Sequence, residues 1–259
     1  MEKWRFIPLQ IRNGYWNMAL DEAILNSVIN KKSHYTIRFY KWKPSTISIG
    51  LNQSFSAEVN LNVAKENGFN IVRRITGGGA VFHDEFGEIT YSIVCSLDFL
   101  KKLNAKKVIE QFEIIETGIV NGLTCYGLKP EKGIIHCPAI FLNGKKFSGN
   151  AQVRKKGCLL QHGTILLEIN PELMYSVLKA PYNISKSKMV KSVYSKCVGI
   201  RDQLQNYNEK DLLYSLKRGF ESTLGIKLEE GKFIEYELNL ARKLMMEKYS
   251  KENWLKKYE

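Results

Sequence analysis

Three consecutive glycines, Gly77-Gly78-Gly79, stand between two short strand patterns, Asn70–Arg74 and Ala80–Phe82. Glycines cost backbone entropy, so a chain keeps a run of them where it must bend sharply or approach another group closely. What surrounds the run narrows the fold. No Gly-Lys-Ser/Thr follows, which excludes a P-loop, and a strand rather than a helix follows, which excludes the dinucleotide GxGxxG turn. On the glycines alone, a tight strand-to-strand turn and a cradle of N–H groups for anionic oxygens both stay open. The flanks tilt the reading toward function. Arg73 and Arg74 offer fixed charge and bidentate donors for phosphate or carboxylate, and His83-Asp84 follow.

Periodicity places these residues in a mixed architecture. Asn13–Asn30 reads as a helix with Trp16, Leu20, Ala23, Ile24 and Val28 on one stripe, and Tyr35–Tyr40 and Thr46–Gly50 read as strands. Asn60 caps a short helix that Gly68 ends. Glu88–Ser96 is a strand, Ala105–Gly122 an amphipathic helix, and Cys158–Glu168 mostly strand. Pro171–Leu178, Glu209–Leu224 and Glu235–Tyr249 read as helices. Strands dominate the middle without regular βαβ alternation. The expected class is therefore α/β (α+β), a mixed and largely antiparallel sheet flanked by helices, as one domain over 1–259.

A second segment carries chemistry. Asn143-Gly144 signals a two-residue hairpin between Ile140–Leu142 and Lys145–Phe147. Strand alternation puts Lys145 and Phe147 on one face and Lys146 on the other. A lysine turned inward is costly unless its charge meets an anion, whereas an outward one is ordinary solvated surface. The small residues Ser148, Gly149 and Ala151 leave room for a ligand beside Lys146, and Gln161-His162-Gly163 follows.

The net charge of +13 calls for an anionic partner, whether nucleic acid, nucleotide or acidic protein. The cations are dispersed and no long basic arm exists, which disfavours nucleic acid. Five widely spaced cysteines without a CxxC pair argue against zinc and redox motifs. No continuous apolar run is long enough to span a bilayer, and the N-terminus lacks a secretory layout, so a cytoplasmic protein with no membrane association is expected.

Together, RRITGGGAVFHD (Arg73–Asp84), GKKFSGNAQ (Gly144–Gln152) and QHG (Gln161–Gly163) resemble the lipoate–protein ligase family, archaeal members included. NMALDEAI (Asn17–Ile24) and LARKLMMEKYSKENW (Leu240–Trp254) extend the likeness nearly end to end. The resemblance implies a fold like the catalytic domains of biotin/lipoate ligases and class II synthetases. It implies ATP- and Mg²⁺-dependent activation of lipoic acid to lipoyl-AMP, then transfer to a lysine of a lipoyl carrier domain. The carriers implied are the E2 component of 2-oxoacid dehydrogenases and the glycine-cleavage H-type protein. The site it implies comprises Arg73, Arg74, Gly77, Gly78, Gly79, Ala80, Val81, Phe82, His83, Gly149, Ala151 and His162 around the nucleotide and acyl-adenylate. In it Lys146 bridges phosphate and acyl carbonyl as the catalytic residue. The metal ligands stay unassigned, with Asp84 the one candidate, and His83 reads as a hydrogen-bonder of the loop rather than a general base.

The pattern also departs from the ligases. Little sequence follows Trp254, so the small accessory domain of single-chain ligases is expected on a separate accessory subunit. Where ligases carry Asn-Asp, this chain reads Pro138-Ala139-Ile140, and Glu85-Phe86-Gly87-Glu88 lacks their Gly-Asn. The alternative is an ATP-independent octanoyl or lipoyl transferase working through a cysteine, because a thiolate accepts and releases acyl groups readily. Cys137, in the loop before the lysine hairpin, is the candidate nucleophile, and Cys158 is expected to pack in the core. A third reading, a non-catalytic ligand- or nucleic-acid-binding module, rests on the positive charge.

Overall fold

Asn13 opens the first long helix because its Oδ1 accepts the otherwise unpaired N–H of Trp16 at 2.9 Å. The computed structural model describes residues 2–133, 139–204 and 206–259. In chain order these form β1 (Glu2–Arg12), α1 (Gly14–Ile29), β2 (Thr36–Trp42), β3 (Thr46–Ile49), α2 (Phe55–Glu58) and α3 (Leu61–Glu66). Next come β4 (Asn70–Arg73), β5 (Val81–His83), β6 (Glu88–Ser96), α4 (Leu97–Lys102), α5 (Val108–Cys125) and β7 (Pro130–Lys132). They are followed by β8 (Ala139–Leu142), β9 (Lys145–Lys155), β10 (Cys158–Leu166), α6 (Pro171–Val177) and α7 (Lys186–Lys196). After these lie α8 (Glu209–Leu224), β11 (Ile226–Glu230), α9 (Glu235–Leu244), a π-turn at Met245–Tyr249 and α10 (Glu252–Leu255).

The strands make two sheets. The larger has the order β11-β1-β2-β6-β10-β9-β8-β7, and the smaller β4-β3-β5. Parallel pairing is confined to β11–β1–β2 in the large sheet and β3–β4 in the small one; the other pairs run antiparallel. This is the mixed, mostly antiparallel sheet flanked by helices that the missing βαβ alternation predicts. Among the described residues no helix is long and apolar enough to cross a membrane.

Each face of the large sheet is covered differently. On one, Ile115 and Ile119 of α5 and Leu212, Leu216 and Phe220 of α8 pack against Phe39, Tyr91 and Leu159. The two helices touch backbone to backbone, since a Cβ on Gly219 would fall 2.2 Å from the Gly122 nitrogen. On the other face α1 lies over Tyr40 and Trp42, and Ala241 of α9 and Tyr249 cover α1 in turn. That second layer explains why α1 is buried nearly all round rather than along the one stripe expected from its sequence.

The hairpin holds one departure that matters for function. Asn143 and Gly144 take φ of 50° and 72°, the left-handed pair of a type I′ turn. Beyond it the β8–β9 register shifts, with Phe141 opposite Lys146 but Ile140 opposite Ser148, so Phe147 is the extra residue of a bulge. Simple alternation gives Lys145 and Phe147 a common face. Instead Phe147 is fully buried in the core, while Lys145 Nζ reaches the Tyr194 carbonyl 3.1 Å away. The bulge also brings Lys146 onto the same wall as Gly149 and Ala151, positions that a regular strand would turn the opposite way.

Candidate functional site

A cavity of about 310 Å³ opens between the two sheets. Met18 of α1, Tyr40 and Trp42 of β2 and Thr90 of β6 line it from the large sheet. The small sheet and its loop contribute Ser48, Arg74, Gly78–Val81 and His83. Lys146, Gly149, Asn150 and Ala151 of β9 and His162, Gly163 and Thr164 of β10 complete the wall.

Arg73 and Arg74 are neighbours in sequence and opposites in space. Arg73 turns away from the cavity, where its guanidinium donates to the carbonyls of Gly50, Leu51, Gln53, Trp254 and Leu255. It therefore ties the end of α10 to the β3 exit and does not reach a ligand in the cavity. Arg74 turns inward, and burial lowers its pKa to about 10. Its Nη2 donates to the Gly77 and Gly79 carbonyls at 2.8 and 2.7 Å, and its Nη1 to the Ser48 carbonyl and hydroxyl, both at 3.1 Å.

That arrangement fixes the glycine loop. Its carbonyls are gathered onto Arg74, and Gly78 adopts φ of 95°. The N–H groups of Gly77, Gly78, Gly79 and Ala80 have no protein acceptor among the described residues. Such a row of free donors is the geometry of an anion cradle.

Two hydroxyl–imidazole–carboxylate rows brace the wall. In the first, His162 Nε2 lies 2.8 Å from Thr76 Oγ1 and Nδ1 lies 3.1 Å from Asp21 Oδ2. Burial lowers the His162 pKa, so the ring is neutral, with Nδ1–H donating to Asp21 and Nε2 accepting from Thr76. Burial also pushes Asp21 upward, but the Arg38 guanidinium at 2.9 Å and the bonds from His162 and Ser92 outweigh it and hold the carboxyl at about 2. In the second row Ser48 Oγ lies 2.8 Å from His83 Nε2, and His83 Nδ1 lies 2.7 Å from Glu88 Oε1. Glu88 also accepts from Trp42 and Thr90, and the His83 ring stacks on Trp42 at 4.1 Å. Ser48 is 1% exposed and its oxygen already receives Arg74. The row thus carries Arg74 rather than presenting a free hydroxyl.

Lys146 is the exception to this mutual satisfaction. It is half-buried, lines the cavity, and its ammonium has no hydrogen-bond or ion-pair partner among the described residues. It lies against Gly149, where a Cβ would make ordinary van der Waals contact at 3.5 Å from Lys146 Cε and 3.6 Å from Nζ. A half-buried ammonium lining the same cavity as Gly78, Gly79 and Ala80, whose N–H groups are unpaired, favours a ligand that carries or develops negative charge.

Of the residues expected at the site, Arg74, Gly78, Gly79, Ala80, Val81, His83, Lys146, Gly149, Ala151 and His162 line the cavity. Gly77 stands off the lining and gives its carbonyl to Arg74, and Phe82 packs into the small-sheet core against Phe69. Asp84 closes a turn by accepting from the N–H groups of Phe86 and Gly87. Among the described residues no group of three or more His, Cys, Asp or Glu is placed to hold a metal. Cys137 lies outside the described residues. Cys158 is buried as expected, and none of the four described cysteines lines the cavity.

One buried chain of polar groups escaped sequence reasoning. Glu116 of α5 accepts from Asn150 Nδ2 at 2.7 Å, Asn150 Oδ1 accepts from the Tyr91 hydroxyl, and Tyr91 accepts from Gln161 Nε2 at 2.6 Å. Burial raises the Glu116 carboxyl to about 7. Only the polar character of Asn150 and Gln161 within the quoted motifs hinted at it.

Fold and site together define a class, namely proteins with a mixed sheet and a cavity walled by a glycine loop and a lysine-bearing hairpin. Residues 13–221 match the lipoyl protein ligase A/B catalytic domain, and the chain belongs to that family. It is 34% identical to the octanoyltransferase LipM of Brevibacillus brevis, with 98% of this chain and 99% of that protein aligned. Its structure superimposes on a bipartite lipoate protein ligase of Thermoplasma acidophilum with a TM-score of 0.86 at 30% identity, covering 100% of this chain and 98% of that one. A lipoate-protein ligase A bound with ATP matches with a TM-score of 0.85 at 29% identity, covering all of both chains.

Proposed function

We propose that this chain transfers an octanoyl-class acyl group from a carrier-borne thioester to a lysine of a lipoyl carrier domain, without ATP. Sequence reasoning put the ATP-dependent ligase first; the end-to-end likeness to octanoyltransferases is the observation that reverses the order. The cavity accommodates an acyl chain, since its 310 Å³ lies within the roughly 300–1,000 Å³ of small-molecule sites. Its lining is largely apolar, with Met18, Tyr40, Trp42, Ala80 and Val81, and Lys146 supplies one unpaired cation.

In this reading a thiolate attacks the thioester carbonyl carbon. A new C–S bond forms, the bond to the donor sulfur breaks, and the donor leaves as a thiol after taking a proton. Lys146 and the glycine-loop N–H groups donate to the carbonyl oxygen as it gains charge, where preorganised donors lower the barrier. The acceptor lysine then attacks the acyl-cysteine, forming an amide and regenerating the thiol. Cys137 is the proposed nucleophile. It precedes Ala139 by two residues, and Ala139 pairs with the cavity residue Gly149.

The test is incubation of the chain with an octanoyl-loaded carrier protein and a lipoyl domain, followed by mass spectrometry of the acceptor. An octanoyl-sized mass gain without ATP is expected. The second reading, ATP-dependent lipoate ligation by a catalytic subunit with an accessory partner, is favoured by the full-length match to the ATP-bound ligase and by the free loop N–H groups. Pyrophosphate release that requires lipoate, with no transfer from the thioester, would establish it instead.

A further inference from the structure

Between Glu172 and Asp202 the chain carries cations and no acidic residue: Lys179, Lys186, Lys188, Lys191, Lys196 and Arg201. Those on α7 are all exposed, and none of their ammonium groups has a hydrogen-bond or ion-pair partner among the described residues. No residue of α7 is buried at all. Helix stability does not account for this composition. Lys186 and Lys188 occupy the first turn, where the helix dipole disfavours cations, and Lys188 repels Lys191 one turn on. Beside them Tyr182 is 94% exposed, a large ring with no fold-stabilising contact to justify it.

The helix is also fastened to the reacting centre. Lys145 Nζ donates to the Tyr194 carbonyl near its C-terminal end, Cys197 pairs with Lys146, and Val198 N donates to the Lys146 carbonyl at 3.1 Å. Whatever docks on α7 is therefore held at the Lys146 side of the cavity. Lys188 and Lys191 lie on the side of α7 opposite the half-exposed Met189, Val190 and Val193, and this basic side, with Tyr182 just before its start, extends about 16 Å along the helix axis. An acidic protein face with an apolar patch for Tyr182 complements that surface, whereas a phosphodiester backbone would leave the ring unused.

We propose that α7, with Tyr182, is the docking surface for an acidic carrier domain that delivers the acyl group as a thioester. The identity of the partner rests on the transfer activity proposed above. The surface itself rests on the unpaired charge and its attachment to Lys146. The acidic domain neutralises lysines that repel one another in the free protein, and seats its thioester arm toward the cavity.

The test is the triple reversal Lys186→Glu, Lys188→Glu, Lys191→Glu, checked for an unchanged melting temperature. Calorimetric binding of octanoyl-loaded acyl carrier protein is measured at low and high salt, alongside turnover with that donor and with uncharged octanoyl-pantetheine. The expected result is a Kd and a carrier KM raised about ten-fold or more, with kcat and octanoyl-pantetheine turnover unchanged and the salt dependence flattened. An unchanged carrier Kd, equal losses with both donors, or loss of DNA retention with carrier binding intact would overturn it. If the wild-type chain binds the carrier through α7 yet transfers nothing from either donor, the docking surface stands and the transfer reading fails. If it turns over octanoyl-pantetheine with no measurable carrier binding, the transfer reading stands and the docking surface fails.

Discussion

Gly163 sits where the buried polar chain behind the cavity leaves no room, so Gly163→Ala probes that chain directly. A Cβ at this position would lie 2.0 Å from Asn150 Oδ1 and 2.8 Å from both the Gly149 oxygen and Tyr91 Cε1. The carboxamide of Asn150 has to move, which breaks its bonds from the Tyr91 hydroxyl and to Glu116. Each buried group left unpaired costs roughly 1–3 kcal/mol, so the substitution should destabilise by about 3–4 kcal/mol. In a chain of this size that lowers the melting temperature by about 8–12 °C. The assay is denaturant unfolding with the slope held constant, in the wild-type background and with Asn150→Ala, which removes the obstructing atom. In the Asn150→Ala background the cost of Gly163→Ala should fall by about half, because the Gly149 and Tyr91 contacts remain. A cost below about 0.5 kcal/mol, or the same cost in both backgrounds, would mean that Asn150 is not what excludes a side chain at this position.

Three further outcomes follow from the same geometry. Lys146→Gln should lower turnover about 10²- to 10³-fold with little change in the unfolding midpoint, since the ammonium makes no direct hydrogen bond or ion pair among the described residues and only attracts Glu116 at longer range; steady-state kinetics beside a thermal melt check this. Glu116, held at about 7, binds its proton more tightly folded than unfolded, so wild-type stability should fall as pH rises from about 4.5 to 7. Glu116→Gln should flatten that slope and, relative to wild type, gain on the order of 2–3 kcal/mol between pH 5 and pH 8 in denaturant titrations. Asp21 has the opposite sign: its carboxyl is held at about 2, so its contribution of about 2 kcal/mol is present above pH 4 and lost as pH falls toward 2. Asp21→Asn should remove that acid-side loss, which unfolding curves between pH 2 and 5 would display.

Much of the frame was legible locally. The strand at Glu88–Ser96 and the helix at Glu209–Leu224 have the bounds that their periodicity predicts, and Asn143-Gly144 makes the turn its residues demand. What sequence reading lost depends on distant partners. β1 went unread because Trp4, Arg5, Phe6 and Ile7 are all buried, leaving no alternation, and its neighbours β2 and β11 lie far along the chain. α7 has only the short, half-buried stripe Met189, Val190 and Val193 among lysines and serines, and none of it is fully buried. At the site, adjacent arginines looked equivalent, and only the small sheet and α10 reveal that Arg73 serves the fold while Arg74 serves the loop. The His162 row joins residues 86 and 141 positions apart, beyond any local pattern. The bulge at Phe147, which aims Lys146, arises from register rather than composition.

Acyl transfer through a cysteine thiol, without nucleotide, leaves a covalent trace on the protein. Intact-protein mass spectrometry after a single exposure to octanoyl-loaded carrier, with no ATP and no acceptor, looks for that trace. The expected result is an octanoyl adduct on the peptide holding Cys137, slowed in Lys146→Gln, absent in Cys137→Ser, and discharged on adding a lipoyl domain. No adduct in the wild-type chain, together with an acyl-adenylate formed on supplying ATP and lipoate, would contradict thiol-mediated transfer.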